Sequence, residues 1–195
     1  MLSYKKSLRI LKDTNALLEG HFVLSSGLHS DKYIQCAKLL SFPLKSNPIC
    51  KSLSNKIKKK FNKIDLILSP ALGGIVIGHE IGRLLNKEAI FCERVKGKFF
   101  LRRGFDIKKN SKVLIVEDVI TTGKSSLECE KLIKRKGAKT IGFCCIIDRS
   151  DKKVLIKDKI ISQIKIEIET FTSNKLPEKL KKIEPIKPGS RNFSK

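Results

Sequence analysis

The sequence predicts an α/β fold, with a largely parallel central sheet flanked by helices. Three observations predict it. From residue 64 onward, short apolar runs alternate with helical repeats in the order β-α-β-β-α-β. The runs lack in-and-out alternation, as strands covered on both faces do. The chain has 195 residues, 41% of them hydrophobic, which supplies one domain with a sizeable core.

The elements follow in order. Residues 3–18 have helical spacing, with Leu8, Leu11, Leu17 and Leu18 recurring at intervals near three and four. HFVL (21–24) and KYIQC (32–36) are short strands, and SSGLHSD between them carries turn chemistry. Pro43 and Pro48 bracket a loop, and residues 48–61 form a helix with a lysine-coated face. IDLIL (64–68) is a buried strand, SPALGG a loop, and 74–85 a helix with Ile77, Ile81, Leu84 and Leu85 on one face. AIFC (89–92) is a strand, and 93–110 a long basic loop or hairpin. VLIV (113–116) is a strand. The helix at 123–136 ends at Gly137, with Lys131, Lys134, Arg135 and Lys136 favouring its negative end. TIGFCCII (140–147) is a further strand, and from residue 170 the chain turns polar, with Pro177, Pro185 and Pro188. The expected organisation is one domain over 1–170, opened by a helix and hairpin within 1–45, followed by a surface-lying tail over 171–195.

Composition narrows the function classes. No run reaches the roughly 18 apolar residues of a membrane span, and the N-terminal stretch lacks a signal peptide's apolar core and cleavage site. A cytoplasmic location is expected. Six cysteines stand without metal-ligand spacing and are read as buried thiols; His21, His29 and His79 show no ligand spacing either. The net charge is +23, but the lysines are spread over helices, loops and tail, and no nucleic-acid module is present. No nucleic-acid partner is expected. The charge favours a highly anionic small substrate.

One stretch carries the chemistry: VLIVEDVITTGKSS, residues 113–126. Glu117 and Asp118 stand at the carboxyl end of a strand, where open parallel sheets bind ligands. Successive strand residues point to opposite faces. Both carboxylates reach one ligand only if the chain bends there, as expected of a strand-to-loop junction. The loop then enters a helix near Gly123–Ser125, a ready anion site. Thr121, Thr122, Ser125 and Ser126 add hydroxyls. Carboxylates beside an anion site suit a phosphorylated ribose: amides and hydroxyls take the phosphate, carboxylates take the sugar hydroxyls. A Walker loop is excluded, because Asp118 stands where its first glycine belongs. The plain alternative is an ordinary strand–loop–helix junction with a threonine cap.

VLIVEDVITTGKS resembles the signature of type I phosphoribosyltransferases, whose ligand is phosphoribosyl pyrophosphate (PRPP). SSGLHSDKYIQCAKLL, SPALGGIVIGHEIGRLL, FCERVKGKFFLRRGF, IIDRS and PIKPGSR resemble, in order, the hairpin, pyrophosphate loop, catalytic-loop junction, base-side strand end and terminal segment of the orotate-specific members. The resemblance implies a type I phosphoribosyltransferase fold with residues 1–45 as a hood over the base. It implies transfer of the phosphoribosyl group from PRPP to orotate, giving orotidine 5′-monophosphate and pyrophosphate in pyrimidine synthesis. It implies a homodimer, and Mg²⁺ carried by PRPP with no direct protein ligand assigned.

Residue by residue, the resemblance places Glu117 and Asp118 on the ribose hydroxyls. Val119, Ile120, Thr121, Thr122, Gly123, Lys124 and Ser125 wrap the 5′-phosphate. Thr121 and Arg149 contact orotate, with Tyr33 beside its ring. Ala71, Leu72, Gly73 and Gly74 present amides to pyrophosphate, and Arg94 and Lys98 supply cations from the mobile loop, Lys98 as the catalytic lysine. The chain departs from many members at Phe100 and Arg102, where they carry histidine and glutamate, and at Gly73, where some carry lysine. It also lacks the tail cysteine pair of the nearest subgroup. An arginine for a carboxylate substrate makes independent sense, since its fork accepts a bidentate pair; the plain alternative is an ion pair with Asp148 or Asp151. Gly74, Gly78 and Gly82 share a helix face, for close sheet packing or for a subunit contact. The alternatives are a phosphoribosyltransferase for another base, or a non-catalytic PRPP-binding regulator.

Overall fold

The computed structural model describes residues 1–24, 26–151, 154–158 and 160–188. The PIKPGSR segment therefore lies outside the described residues from position 189 onward.

A six-stranded sheet forms the centre. Its strands are β3 (Leu66–Pro70), β4 (Glu88–Val95), β5 (Lys98–Leu101), β6 (Lys112–Ile120), β7 (Lys139–Asp148) and β8 (Ile161–Lys165), in spatial order β5-β4-β3-β6-β7-β8. All neighbours are parallel except the β4–β5 hairpin. Alternation along the strands feeds two cores. Ile67, Leu114, Val116, Cys144 and Ile146 pack toward α3 (Pro43–Lys60) and α4 (Gly73–Leu85). Leu68, Val113, Ile115, Phe143 and Cys145 pack toward α5 (Lys124–Arg135). Burial on both faces explains why these strands read as unbroken apolar runs. All six cysteines are free and buried.

The N-terminal helix α1 (Tyr4–Asp13) is shorter than the leucine spacing suggests. Thr14 Oγ1 donates to Ile10 O at 2.7 Å and Asn15 takes a left-handed φ of 53°, which turns the chain. Leu17 and Leu18 consequently open strand β1 (Leu17–Val23), which pairs with β2 (His29–Ile34). A short helix α2 (Cys36–Leu40) follows. Nor do Pro43 and Pro48 bracket a loop. Pro43 sits at the first turn of α3, where its fixed φ is pre-set for a helix, and Pro48 is accommodated inside. Ile49, Leu53 and Ile57, all fully buried, hold that helix on the sheet.

The polar C-terminal stretch is tied down. Strand β9 (Thr170–Phe171) pairs with β2, the short helix α6 (Glu178–Lys181) buries Leu180, and Ile186 bridges to Phe22. His21 Nδ1 bonds Ile183 O at 2.8 Å.

Candidate active site

The sheet reverses direction of growth between β3 and β6. From β3 the chain crosses through α4 to β4 on one side; from β6 it crosses through α5 to β7 on the other. The crevice beyond the carboxyl ends of β3 and β6 is thus a topological switch point, where open α/β sheets bind ligands. The 71–73 loop follows β3 there, and the 121–123 loop follows β6.

Strand β6 does not bend at its carboxylates. It stays in register with β7 through Val119–Ile147 and Ile120–Asp148. The predicted junction after 116 therefore lies four residues later, because backbone pairing continues. Glu117 and Asp118 accordingly point to opposite sides of the sheet. Glu117 is 9% exposed and accepts a hydrogen bond at Oε1 from Ser126 Oγ on α5. Burial pushes its carboxyl up to about 7; the Ser126 hydroxyl opposes that push, and the charge of Asp118 adds to it. Asp118 faces the start of α4. A Cβ on Gly73 would lie 2.7 Å from Asp118 Oδ2, so only glycine lets the carboxylate come so near the loop. Burial raises its pKa too, against a hydrogen bond of 2.9 Å from Val119 N to its Oδ1. Cys36 Sγ, at the start of α2, donates to Asp118 O at 3.8 Å and ties the N-terminal hairpin to this strand.

The 121–123 loop meets the anion-site requirements. Gly123 has φ 77° and caps α5, and a Cβ there would lie 2.6 Å from Ile156 Cγ1. Leu155 N donates to Thr122 O at 2.9 Å, and Lys124 N to Thr122 Oγ1 at 3.4 Å. Thr121 and Thr122 are exposed, and Ser125 is half-buried on the first turn of α5. The first N–H groups of that turn and the helix dipole face the crevice.

Arg149 follows β7 at the same edge, its N–H bonded to Ile120 O at 2.8 Å. Its side chain is half-buried, and its buried Nε has no partner among the described residues. Burial lowers its pKa, and nearby Tyr33 of β2 opposes that. Tyr33 itself packs on Phe22 with ring centroids 5.7 Å apart. A partly desolvated guanidinium with an open Nε is a receptor for a carboxylate.

Arg94 and Lys98 are placed differently. Lys96 (φ 45°) and Gly97 (φ 80°) form a tight two-residue turn, so 94–101 is a hairpin. Arg94 pairs with Glu128 of α5 at 2.6 Å, donates to Gly97 O at 2.6 Å and stacks over Phe99 at 4.1 Å. Lys98 lines a groove of about 670 Å³ with Lys131, Lys134 and Arg135. The hairpin thus rests on α5 while the other named residues gather at the switch point. Sequence reasoning gave Ser126 no role beyond a spare hydroxyl, yet its burial beside Glu117 follows from its place on the inward face of α5.

Residues 44–179 match the family profile described as phosphoribosyl transferase domain. Over 179 residues the chain is 44% identical to a protein of Erythrobacter litoralis named orotate phosphoribosyltransferase, covering 91% of this chain and 93% of that one. The crystal structure of an orotate phosphoribosyltransferase from Aeropyrum pernix has a TM-score of 0.70 at 24% identity, covering 81% of this chain and 92% of that one. An adenine phosphoribosyltransferase from Thermoanaerobacter pseudethanolicus has a TM-score of 0.58 at 21% identity, covering 69% and 88%. At those identities the structures establish the fold and leave the base open.

Proposed function

This chain belongs to the phosphoribosyltransferase family, and from that membership we propose that it transfers the phosphoribosyl group of PRPP to orotate. The products are orotidine 5′-monophosphate and pyrophosphate, a step in building pyrimidine nucleotides. The observation that carries the choice of base is the 44% identity, over 91% of the chain, to a protein named for that activity. Arg149 supports it with a half-buried side chain whose Nε has no partner among the described residues.

The ring nitrogen of orotate attacks the ribose anomeric carbon as the bond to pyrophosphate oxygen breaks; the proton of the ring N–H is released to solvent or to the departing pyrophosphate. Positive charge develops on the ribose, so a site for this reaction needs carboxylates near the sugar and donors around the leaving group. Glu117 and Asp118 are assigned to the ribose hydroxyls; since the straight strand points them to opposite sides of the sheet, sharing one sugar requires β6 to bend at its carboxyl end when the ligand binds. Thr121–Ser125 wrap the 5′-phosphate, with Gly123 admitting the close approach; Val119 and Ile120, expected to join them, stay in β6, where Val119 N donates to Asp118 Oδ1 and Ile120 is buried. Leu72–Gly74 offer backbone N–H groups to pyrophosphate; Ala71, expected to join them, instead donates its N–H to Cys92 O at 2.8 Å. Arg149 pairs with the orotate carboxylate, Thr121 lies beside it, and Tyr33 covers the ring. No covalent nucleophile is required.

Mg²⁺ accompanies PRPP and supplies charge neutralisation of the leaving pyrophosphate. Among the described residues no group of three or more acidic, histidine or cysteine side chains is poised for a metal. The ion is assigned to substrate oxygens and water, with no direct protein ligand. Arg94 and Lys98 serve the departing pyrophosphate once the hairpin leaves α5 or reaches a neighbouring subunit in a homodimer. Incubation with PRPP, Mg²⁺ and orotate, followed by product chromatography, tests the reading; absence of orotidine 5′-monophosphate would refute it.

A further inference from the structure

We propose that Ser126 is a positioning residue for Glu117, holding Oε1 toward α5 so that Oε2 is left for the ribose hydroxyls. The proposal rests on the phosphoribosyl reading above. Ser126 is fully buried, on the third residue of α5, so its hydroxyl has no access to water as a partner. Its Oγ donates to Glu117 Oε1. Glu117 retains 9% exposure, and no buried, unpartnered oxygen remains on it. One oxygen is therefore held by the protein, and Oε2 is the atom assigned to the ribose hydroxyls.

The surroundings make this hydrogen bond consequential. The titratable groups that interact with Glu117 are Asp118, its neighbour on the strand with its side chain on the opposite face, and the thiols of Cys129 from α5 and Cys145 from β7. The two buried thiols, their own pKa values raised, stay neutral; burial opposes a negative charge on Glu117 most strongly, and the Asp118 carboxylate adds to that. The Ser126 hydroxyl counters them by stabilising the carboxylate form. Ser126 thus has two effects on one atom pair: it selects the rotamer of Glu117, and it keeps the carboxyl ionisable near neutral pH. It also couples the pieces that bind two parts of one ligand. Ser126 is adjacent to Ser125 in the phosphate loop, so the first turn of α5 fixes phosphate and ribose contacts together.

The test compares the wild-type chain with S126A and S126T. The Glu117 carboxyl is titrated by carbon NMR, with E117Q identifying its resonance. In parallel, kcat/KM for PRPP is measured against pH at saturating orotate. Ionisations of the substrates are common to all variants and cancel in the comparison. In S126A the Glu117 midpoint and the acidic limb of the profile should both move up by about one pH unit, the worth of a hydrogen bond to a charged group. S126T, which keeps the hydroxyl, should restore both; if it fails to fold, S126C takes its place with partial restoration. An unmoved midpoint in S126A, or a loss of kcat/KM uniform in pH, would overturn the proposal. A wild-type chain that turns over no orotate would instead remove the functional reading, while the carboxyl titration would still decide whether Ser126 controls Glu117.

Discussion

Glu117 joins two demands that conflict. Its carboxyl, pushed up to about 7 from an ordinary value of 4.5, is held in a buried site where a neutral side chain would cost less. The folded chain binds a proton there that the unfolded chain releases between about pH 4.5 and 7. Stability from this group is complete below the unfolded value and lost as pH rises through the folded one. Replacing Glu117 by Gln should therefore stabilise the protein progressively more from pH 5 to pH 8.5, by about 2–3 kcal/mol at the alkaline end. PRPP binding should weaken at the same time. Thermal melts across that range check this, and wild-type and variant curves that stay parallel would contradict it. At Arg149 the conflict is the desolvation of a guanidinium whose Nε has no hydrogen-bond partner among the described residues. Arg149→Ala should raise KM for orotate about tenfold or more, the worth of a charge-assisted pair, and leave PRPP affinity nearly unchanged. Equal losses for both substrates, measured by steady-state kinetics, would make Arg149 a structural residue.

At the level of elements, Gly123 is the position where backbone and packing agree. Its φ of 77° and the 2.6 Å approach of Ile156 Cγ1 both exclude a side chain. Gly123→Ala should cost about 1–2 kcal/mol of stability, the penalty for a left-handed non-glycine residue, and weaken PRPP binding. Denaturant midpoints and calorimetry check it; an unchanged PRPP affinity would move the phosphate elsewhere. This region was legible in the sequence because 64–147 carries its own punctuation: apolar runs that end in glycine-rich loops. Strand β8 was not legible. Residues 161–165 mix Ser, Gln and Lys among isoleucines, and only pairing with β7 makes them a strand. The leucine repeat over 3–18 misled because Asn15 can turn left-handed. The basic stretch over 93–110 held a hairpin whose tight turn lies at Lys96–Gly97, and the resting place of Arg94 on Glu128 depends on a contact 34 positions away in sequence that no local pattern encodes. The bend expected at Glu117–Asp118 is absent because β7 pairs with β6 through Ile120. The glycine face of α4 packs on the sheet: a Cβ on Gly82 would lie 2.7 Å from Ala89 Cβ, and one on Gly78 would collide with Ser69. A subunit contact is therefore not its purpose.

For the whole molecule, a different surface is available for a second copy. Leu44 and Val76 are 89% and 53% exposed and line one cavity of about 480 Å³ with Pro43, and Leu72 is 84% exposed in the loop before α4. Polar and charged side chains, Lys51, His79, Glu80 and Arg83 among them, share the cavity wall, an apolar centre with a polar surround that suits a subunit contact. It lies next to the 71–74 loop, so a partner seated there would border the crevice. We expect a homodimer by light scattering at micromolar concentration, and a shift toward monomer in Leu44→Asp; a fully active monomer would contradict this. The +23 charge acts at the same scale, drawing in a polyanionic substrate, so kcat/KM should fall as salt rises. The protein is incubated with PRPP and Mg²⁺ and offered orotate, uracil or adenine, with pyrophosphate and nucleotide quantified together. The prediction is equimolar pyrophosphate and orotidine 5′-monophosphate with orotate, and little product with the other bases. Faster turnover of uracil or adenine, or no pyrophosphate release with orotate, would contradict it.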